Sequence, residues 1–243
     1  MNCKHMIIAG GGLAGLLVVP SIGFAQSLGS AASFAVLAGS TVTNTGATTI
    51  LGSVGVSPGT GITGLPAGQP TGGTVHDNDP VAAQAQSDLT VAYDALAAMT
   101  CGTDLTGQDL GGRTLTPGVY CFNTSAGLTG ILTLDAQNDA NAVFVFKIGS
   151  TLTTAMNAFV NPINGAQNTN VYWQVGSSAT LGSGTVFVGN IVALASITLT
   201  TSATVSGRAL ARTGGVTMDT NFVGDTTTPT LETTWGMIKM RYR

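Results

Sequence analysis

Short apolar runs recur through the C-terminal half of the chain, and each is followed by a threonine-rich segment of alternating character. Four such segments align: Ser150-Thr151-Leu152-Thr153-Thr154, Ala179-Thr180-Leu181-Gly182-Ser183, Ile197-Thr198-Leu199-Thr200-Thr201 and Val216-Thr217-Met218-Asp219-Thr220. The second and third begin 18 residues apart and the third and fourth 19, while 29 separate the first from the second, which leaves room for a loop around Asn161 to Thr169. Each follows an apolar strand (Val143 to Phe146, Val171 to Val175, Asn190 to Leu194, Arg208 to Ala211) and is trailed by another short run (Ala158 to Val160, Val186 to Val188, Thr204 to Ser206, Asn221 to Val223). Three short strands per repeat are too few residues for a β-α unit and suit one coil of a solenoid, in which each coil covers its neighbour's apolar side. Alternation within a strand sends Leu152, Leu181, Leu199 and Met218 inward and Thr151, Thr180, Thr198 and Thr217 outward. A sandwich of short strands has similar spacing and is the alternative.

The N-terminal part repeats the signature in Ser40 to Thr45 and in Ile50 to Val56. Between the two halves the period changes. Asp79-Pro80 reads as an N-cap followed by proline in the first turn, and Val81, Ala85, Leu89, Ala92, Leu96 and Met99 recur every three or four residues. This predicts one amphipathic helix, about residues 80–99, lying along the coils. Thr114 to Tyr120 re-enters the coils, and the tail 226–243 has no repeat and is expected to be loose, with Trp235 the residue that docks back.

At the N-terminus, Lys4 and His5 precede an apolar run from Met6 to Val19, then Gly23-Phe24-Ala25. This predicts a secretory signal over residues 1–25, removed after Ala25, and a secreted domain over 26–225. The run is too short to span a bilayer. Of three cysteines, Cys3 leaves with the signal. Cys101 and Cys121 are expected to form a disulfide in an oxidising compartment, with two buried thiols as the alternative.

Composition narrows the function. Charged residues are 8% of the chain, against about 25% in an ordinary soluble domain. Beyond residue 25, seven Lys/Arg face eleven Asp/Glu. No basic footprint for nucleic acid exists. His76 is the only histidine left after export and stands in a Gly/Pro loop, so neither a Ser-His-Asp set nor a metal cluster is expected. Carboxylates fall at caps and turns rather than in strand columns, and no phosphate loop is present. No cofactor and no enzyme activity are expected. The chain is instead rich in hydroxyls, with 37 Thr and 34 Gly. Threonine in a strand is stiff at χ1, and a stacked field of it repeats about every 4.8 Å across strands and about 6.5–7 Å along them. Such a lattice can match a crystalline solid without charge, and ice is the solid met in water. The competing explanation is that threonine simply favours a solvated strand.

The chain resembles the large microbial ice-binding family. The likeness runs in order through Ala32 to Gly39, Asn44-Thr45-Gly46, Gly52 to Gly59, Ala83 to Leu89, Leu115 to Tyr120, Leu132 to Ala136, Gly149 to Thr154, Val171 to Gly176 and Gly207 to Arg212, about residues 28–223. The resemblance implies a mainly β fold: a discontinuous right-handed β-solenoid of triangular section, with separated N- and C-terminal coils and one long α-helix packed alongside. It also implies adsorption to ice, giving thermal hysteresis and recrystallisation inhibition. Family members that bind ice resemble a Thr-Ala/Gly-x-Thr/Asn pattern, matched here by Thr45-Gly46-Ala47-Thr48 and Thr154-Ala155-Met156-Asn157 and, with Ser second, by Thr201-Ser202-Ala203-Thr204. The segments Ser183-Gly184-Thr185-Val186 and Thr220-Asn221-Phe222-Val223 depart from the pattern. The ice-binding candidates are Thr45, Thr48, Thr154, Asn157, Thr185, Thr201, Thr204 and Thr220, with Thr151, Thr180, Thr198 and Thr217 as a competing face. The expected partner is an ice surface, with no nucleic acid and no membrane span, and a monomer is the expected state. The alternative function is a secreted adhesin or extracellular-matrix module using the same face.

Overall fold

The computed structural model describes residues 27–225; the expected signal over 1–25 and the expected loose tail 226–243, with Trp235, lie outside them. A fourteen-stranded sheet and a seven-stranded sheet, parallel throughout, build the body. Each coil contributes three short strands. In one coil these are Phe144–Ile148, Leu152–Thr154 and Phe159–Ile163. The larger sheet covers two sides because its strands Val186–Ala193 and Thr204–Ala211 bend at Gly189 and Gly207. Gly207 has φ 145°, and a Cβ there would stand 2.1 Å from the Gly189 carbonyl oxygen. Glycine is what lets one strand turn this corner against its neighbour.

The coils are stacked out of sequence order. On the helix side the order is Val75–Asp77, Ser53–Val56, Phe34–Ala38, Thr204–Ala211, Val186–Ala193, Val171–Val175, Phe144–Ile148, Gly118–Phe122 and Thr103–Asp104. The two N-terminal coils thus sit on top of the coil made last. The chain crosses between the ends of the stack through the helix Pro80–Ala98 (α1). Nineteen residues at 1.5 Å each reach about 28 Å, the height of about six strand spacings.

Helix α1 starts as its sequence dictates. Asp79 accepts the Ala82 N–H at 2.8 Å and proline follows it. That N–H bond, with His76 on the other carboxylate oxygen, holds the Asp79 pKa below the ordinary carboxylate range. Of the buried stripe Ala82, Ala85, Leu89, Ala92, Tyr93 and Leu96, the last five pack on Leu37, Leu210, Val192, Tyr172 and Val145, one outward side chain from each of five successive coils. Arg212 lies 4.5 Å from the Tyr93 ring centre. Arg208 donates to the Ala32 carbonyl, the Asn190 side chain and the Asp225 carboxylate. Arg208, inside its strand, and Arg212, just past its end, therefore tie this coil to its surroundings. Inside the coils Phe146 stacks on Trp173 at 3.8 Å and Trp173 meets Phe187 at 4.8 Å. Cys101 and Cys121 are joined by a disulfide that fastens the last coil of the stack.

The N- and C-terminal halves close across a seam. Gly39 and Ser40 both donate to the Gly214 carbonyl. Asn221 donates its N–H to Thr48 Oγ1 at 3.0 Å, and the Thr48 hydroxyl donates to Asn44 Oδ1.

Candidate functional site

The seven-stranded sheet is made of the strands Ala126–Leu128, Leu152–Thr154, Ala179–Leu181, Ile197–Leu199, Val216–Asp219, Thr41–Thr45 and Gly61–Thr63, in that spatial order. Buried and accessible positions alternate along them. The inward residues are mostly Leu, Ile, Val, Ala and Met, and they set which side chains face out. In the register of the ladder, Gly127, Thr153, Thr180, Thr198, Thr217, Thr43 and Thr63 stand side by side. Six threonines therefore form an unbroken column on one face. At about 4.8 Å per strand it is about 24 Å long.

The outward positions on either side of this column are also small. Toward the strand starts, the Thr151 hydroxyl donates to Ser125 Oγ at 2.8 Å, and Thr41 is paired with Gly61. Toward the strand ends, Thr45 is paired with Asp219, and Ser183 and Thr200 share a hydrogen bond of 3.3 Å. Among the described residues no lysine or arginine lies on these strands, and Asp219 is their only charged side chain. The face is a lattice of hydroxyls and methyls held by backbone ladders on both sides of each inner strand. No metal-ligand cluster of three or more groups occurs among the described residues.

The structure separates the two candidate sets drawn from the sequence. Of the first, Thr48, Thr154 and Thr185 are buried, at 2%, 3% and 0% exposure. The Thr154 and Thr185 hydroxyls meet at 2.8 Å, Thr154 accepts the Gly182 N–H, and Thr185 donates to the Ala155 carbonyl. These side chains satisfy the inner side of a corner and cannot touch a crystal. Thr204 faces out from a different side, between Val186 and Phe222. Thr45, Asn157, Thr201 and Thr220 are exposed along the corner itself. That corner is a ladder of left-handed turn positions: Gly130, Asn157, Gly184, Ser202, Thr220 and Gly46 all have positive φ. Small, Asn and Ser residues there meet a turn requirement, which accounts for much of the repeated pattern.

Of the second set, Thr180, Thr198 and Thr217 do share the column, but Thr153 and not Thr151 stands next to Thr180. Leu152 pairs with Ala179 rather than with Leu181, two residues from the expected register. The reason is Thr154, a threonine at an inward position, which reads as outward until its partner Thr185 is known. Thr43 and Thr63 join the column from the N-terminal coils. Thr43 is legible in the Thr41-Val42-Thr43 alternation; only the stacking order brings Thr43 beside Thr217 and Thr63 beside Thr43.

With this geometry in hand, the comparisons are specific. The model of the family described as Ice-binding-like matches residues 36–224. An ice-binding protein of Nostoc sp. (strain HG1) is 59% identical over 199 residues, 82% of this chain and 73% of that one. The crystal structure of an ice-binding protein from the Antarctic ascomycete Antarctomyces psychrotrophicus superposes with a TM-score of 0.79 at 42% identity, covering 83% of this chain and 98% of that one. A second, from an Antarctic biological consortium, gives 0.78 at 50% identity, covering 82% and 90%. A matching family model over nearly the whole described region, and a 59% identical relative, establish that this chain belongs to the ice-binding-like family.

Proposed function

We propose that this protein binds ice, adsorbing through the seven-stranded face whose centre is the column Thr153, Thr180, Thr198, Thr217, Thr43 and Thr63. The observation that carries the face is that column, unbroken over six strands and free of basic side chains. Its hydroxyls repeat about 4.8 Å apart in one direction, with outward neighbours about 6.5–7 Å away in the other. Methyls can seat in ordered water while hydroxyls join its hydrogen bonds. Branched side chains on a doubly paired strand have little freedom to lose on adsorption. Adsorbed molecules pin the growing surface, the ice between them bulges, and the curved front is less stable, so it does not advance until the liquid is cooled below its usual freezing point. This yields thermal hysteresis and slows recrystallisation.

Export belongs to the same proposal. The basic-then-apolar start of residues 1–25 and the disulfide between Cys101 and Cys121 both fit an oxidising compartment outside the cytoplasm. The test is partition into slowly growing ice. A protein that binds ice is enriched in the solid relative to the liquid, whereas exclusion into the liquid, at the level of an unrelated protein, overturns the reading. N-terminal sequencing of the exported chain should begin at Gln26.

A further inference from the structure

The hydroxyls on and beside the seven-stranded face are not all in the same state. Among the described residues, those of Thr153, Thr180, Thr198, Thr217, Thr43 and Thr63 make no hydrogen bond to the protein. Each can both donate to a water molecule and accept from one. The corner hydroxyls differ. Thr201 donates its proton to Asp219 Oδ2, and Thr220 donates to Asp219 Oδ1 at 3.1 Å. A hydroxyl has a single proton to give, and an ionised carboxylate only accepts. Thr201 and Thr220 therefore turn only lone pairs to the solvent.

Asp219 is the origin of this difference. It ends the strand Val216–Asp219, two residues past Thr217, so its side chain leaves on the same face about 6.5–7 Å from the column. Thr45 of the N-terminal half is its partner in the ladder on one side, and Thr201 of the preceding coil reaches it from the other. The carboxylate is partly exposed, while Thr45, Thr201 and Thr220 are exposed around it. Among the described residues it forms no ion pair, so its charge is met by hydroxyls and water. Water in ice is donor and acceptor alike. Around an anion flanked by acceptor-only hydroxyls, each water must turn a proton inward. That is the order of an ion's hydration shell, and stripping water from an unpaired charge is costly. The uncharged column imposes no such order on the water it meets.

Resting on the threonine face proposed above, we infer that Asp219 sets the width of its contact with ice. The carboxylate, and its hold on the Thr201 and Thr220 protons, keep the corner out of a contact that otherwise extends from the column to Thr45, Thr201 and Thr220. Asp219 is thus a positioning residue that limits adsorption rather than one that provides it, and its removal enlarges the usable face.

Three substitutions in the full chain separate charge from shape. Asp219→Asn removes the charge and keeps the outline, Asp219→Thr repeats the residue at 45 and 201, and Asp219→Glu keeps the charge. The Asp219 N–H bonds to Asn221 Oδ1 and its carbonyl accepts the Ser202 N–H; these backbone bonds are unchanged in all three, so circular dichroism and melting temperature should stay at the wild-type level. Thermal hysteresis and enrichment in slowly growing ice then read the contact. Both should rise several-fold in Asp219→Asn and Asp219→Thr and stay at the wild-type level in Asp219→Glu. Adding Thr198→Tyr to Asp219→Asn should remove the gain with the rest of the activity. Folded Asn and Thr variants no more active than wild type overturn the role of Asp219, and loss of activity in Thr198→Tyr alone shows that the face itself stands. A gain shared by Asp219→Glu makes shape rather than charge the cause and overturns it too. So does a gain that survives Thr198→Tyr, because that gain arises away from the column. Exclusion of the wild type from ice overturns the face and the role of Asp219 together.

Discussion

Replacing Thr198 by tyrosine isolates the contact surface from the fold. Thr198 is third in the column, with Thr153 and Thr180 on one side and Thr217, Thr43 and Thr63 on the other. A phenol here stands above the level of its neighbours. The sheet is laddered on both sides and cannot bend round it, so a flat crystal retains at best the three threonines beyond it, half the column. For an adsorption free energy of about 8 kcal/mol, the equivalent of a micromolar constant, losing half removes about 4 kcal/mol, about a thousandfold. The cost in stability is small, about 0.5 kcal/mol or less, because the position faces out and tyrosine is as good a strand residue as threonine. The assay is thermal hysteresis and recrystallisation inhibition, with melting followed by circular dichroism. Val91→Tyr, at a position 68% exposed on the helix, is the control and should remain fully active. If folded Thr198→Tyr keeps wild-type hysteresis while Thr201→Tyr loses it, the exposed corner of Thr45, Asn157, Thr201 and Thr220 is the contact surface and the reasoning from the column is wrong.

Thr48→Val should leave the threonine column intact but weaken the seam, because the buried Asn221 N–H loses its acceptor; an orphaned buried donor costs about 1–3 kcal/mol, seen as a melting temperature several degrees lower. Reducing the Cys101–Cys121 bond, which closes a 20-residue separation, should remove about 3 kcal/mol; hydrogen exchange should rise first around Thr103–Asp104 and leave the central coils protected. Asp88 accepts the Ser30 N–H and hydroxyl, both at 2.7 Å, and the Gln84 amide; the Ser30 N–H above all lowers its pKa. A lowered folded-state pKa contributes stability above the unfolded value that is lost as pH falls through the folded one. Melting temperature should therefore hold from neutral pH to about 5 and drop below about 4, and Asp88→Asn should make that drop shallower; an unchanged acid limb would show that this clamp between the helix and the first turn carries none of it.

How much was legible depended on how local the determinant is. The helix announced itself through Asp79, Pro80 and a stripe of Ala and Leu, and ends at Ala98, one residue before the predicted stop. The repeat of three short strands was legible from Gly-punctuated alternation. The disulfide followed from cysteine count and compartment, with free thiols left open until the structure joined Cys101, in the turn after the helix, to Cys121. The candidate surface was harder. A strand says which residues alternate, but not which of two threonines, Thr151 or Thr153, lies beside Thr180. That depends on register between coils, which is set when inward side chains interlock and when a polar pair such as Thr154 and Thr185 is satisfied inside. Thr48 shows the same limit, since its hydroxyl is claimed by Asn221, 173 residues away.

The amino-acid sequence by itself determined that this is a coil-stacked β protein with one helix, poor in charge and rich in ordered hydroxyls, because periodicity, capping and composition act over a few residues. Only the tertiary structure decided that Thr43 and Thr63 complete the column begun by Thr153, Thr180, Thr198 and Thr217, and that Thr48, Thr154 and Thr185 lie inside. These are properties of stacking order and register, and the helix settles them by carrying the chain from one end of the solenoid to the other, so that its last coil closes against its first.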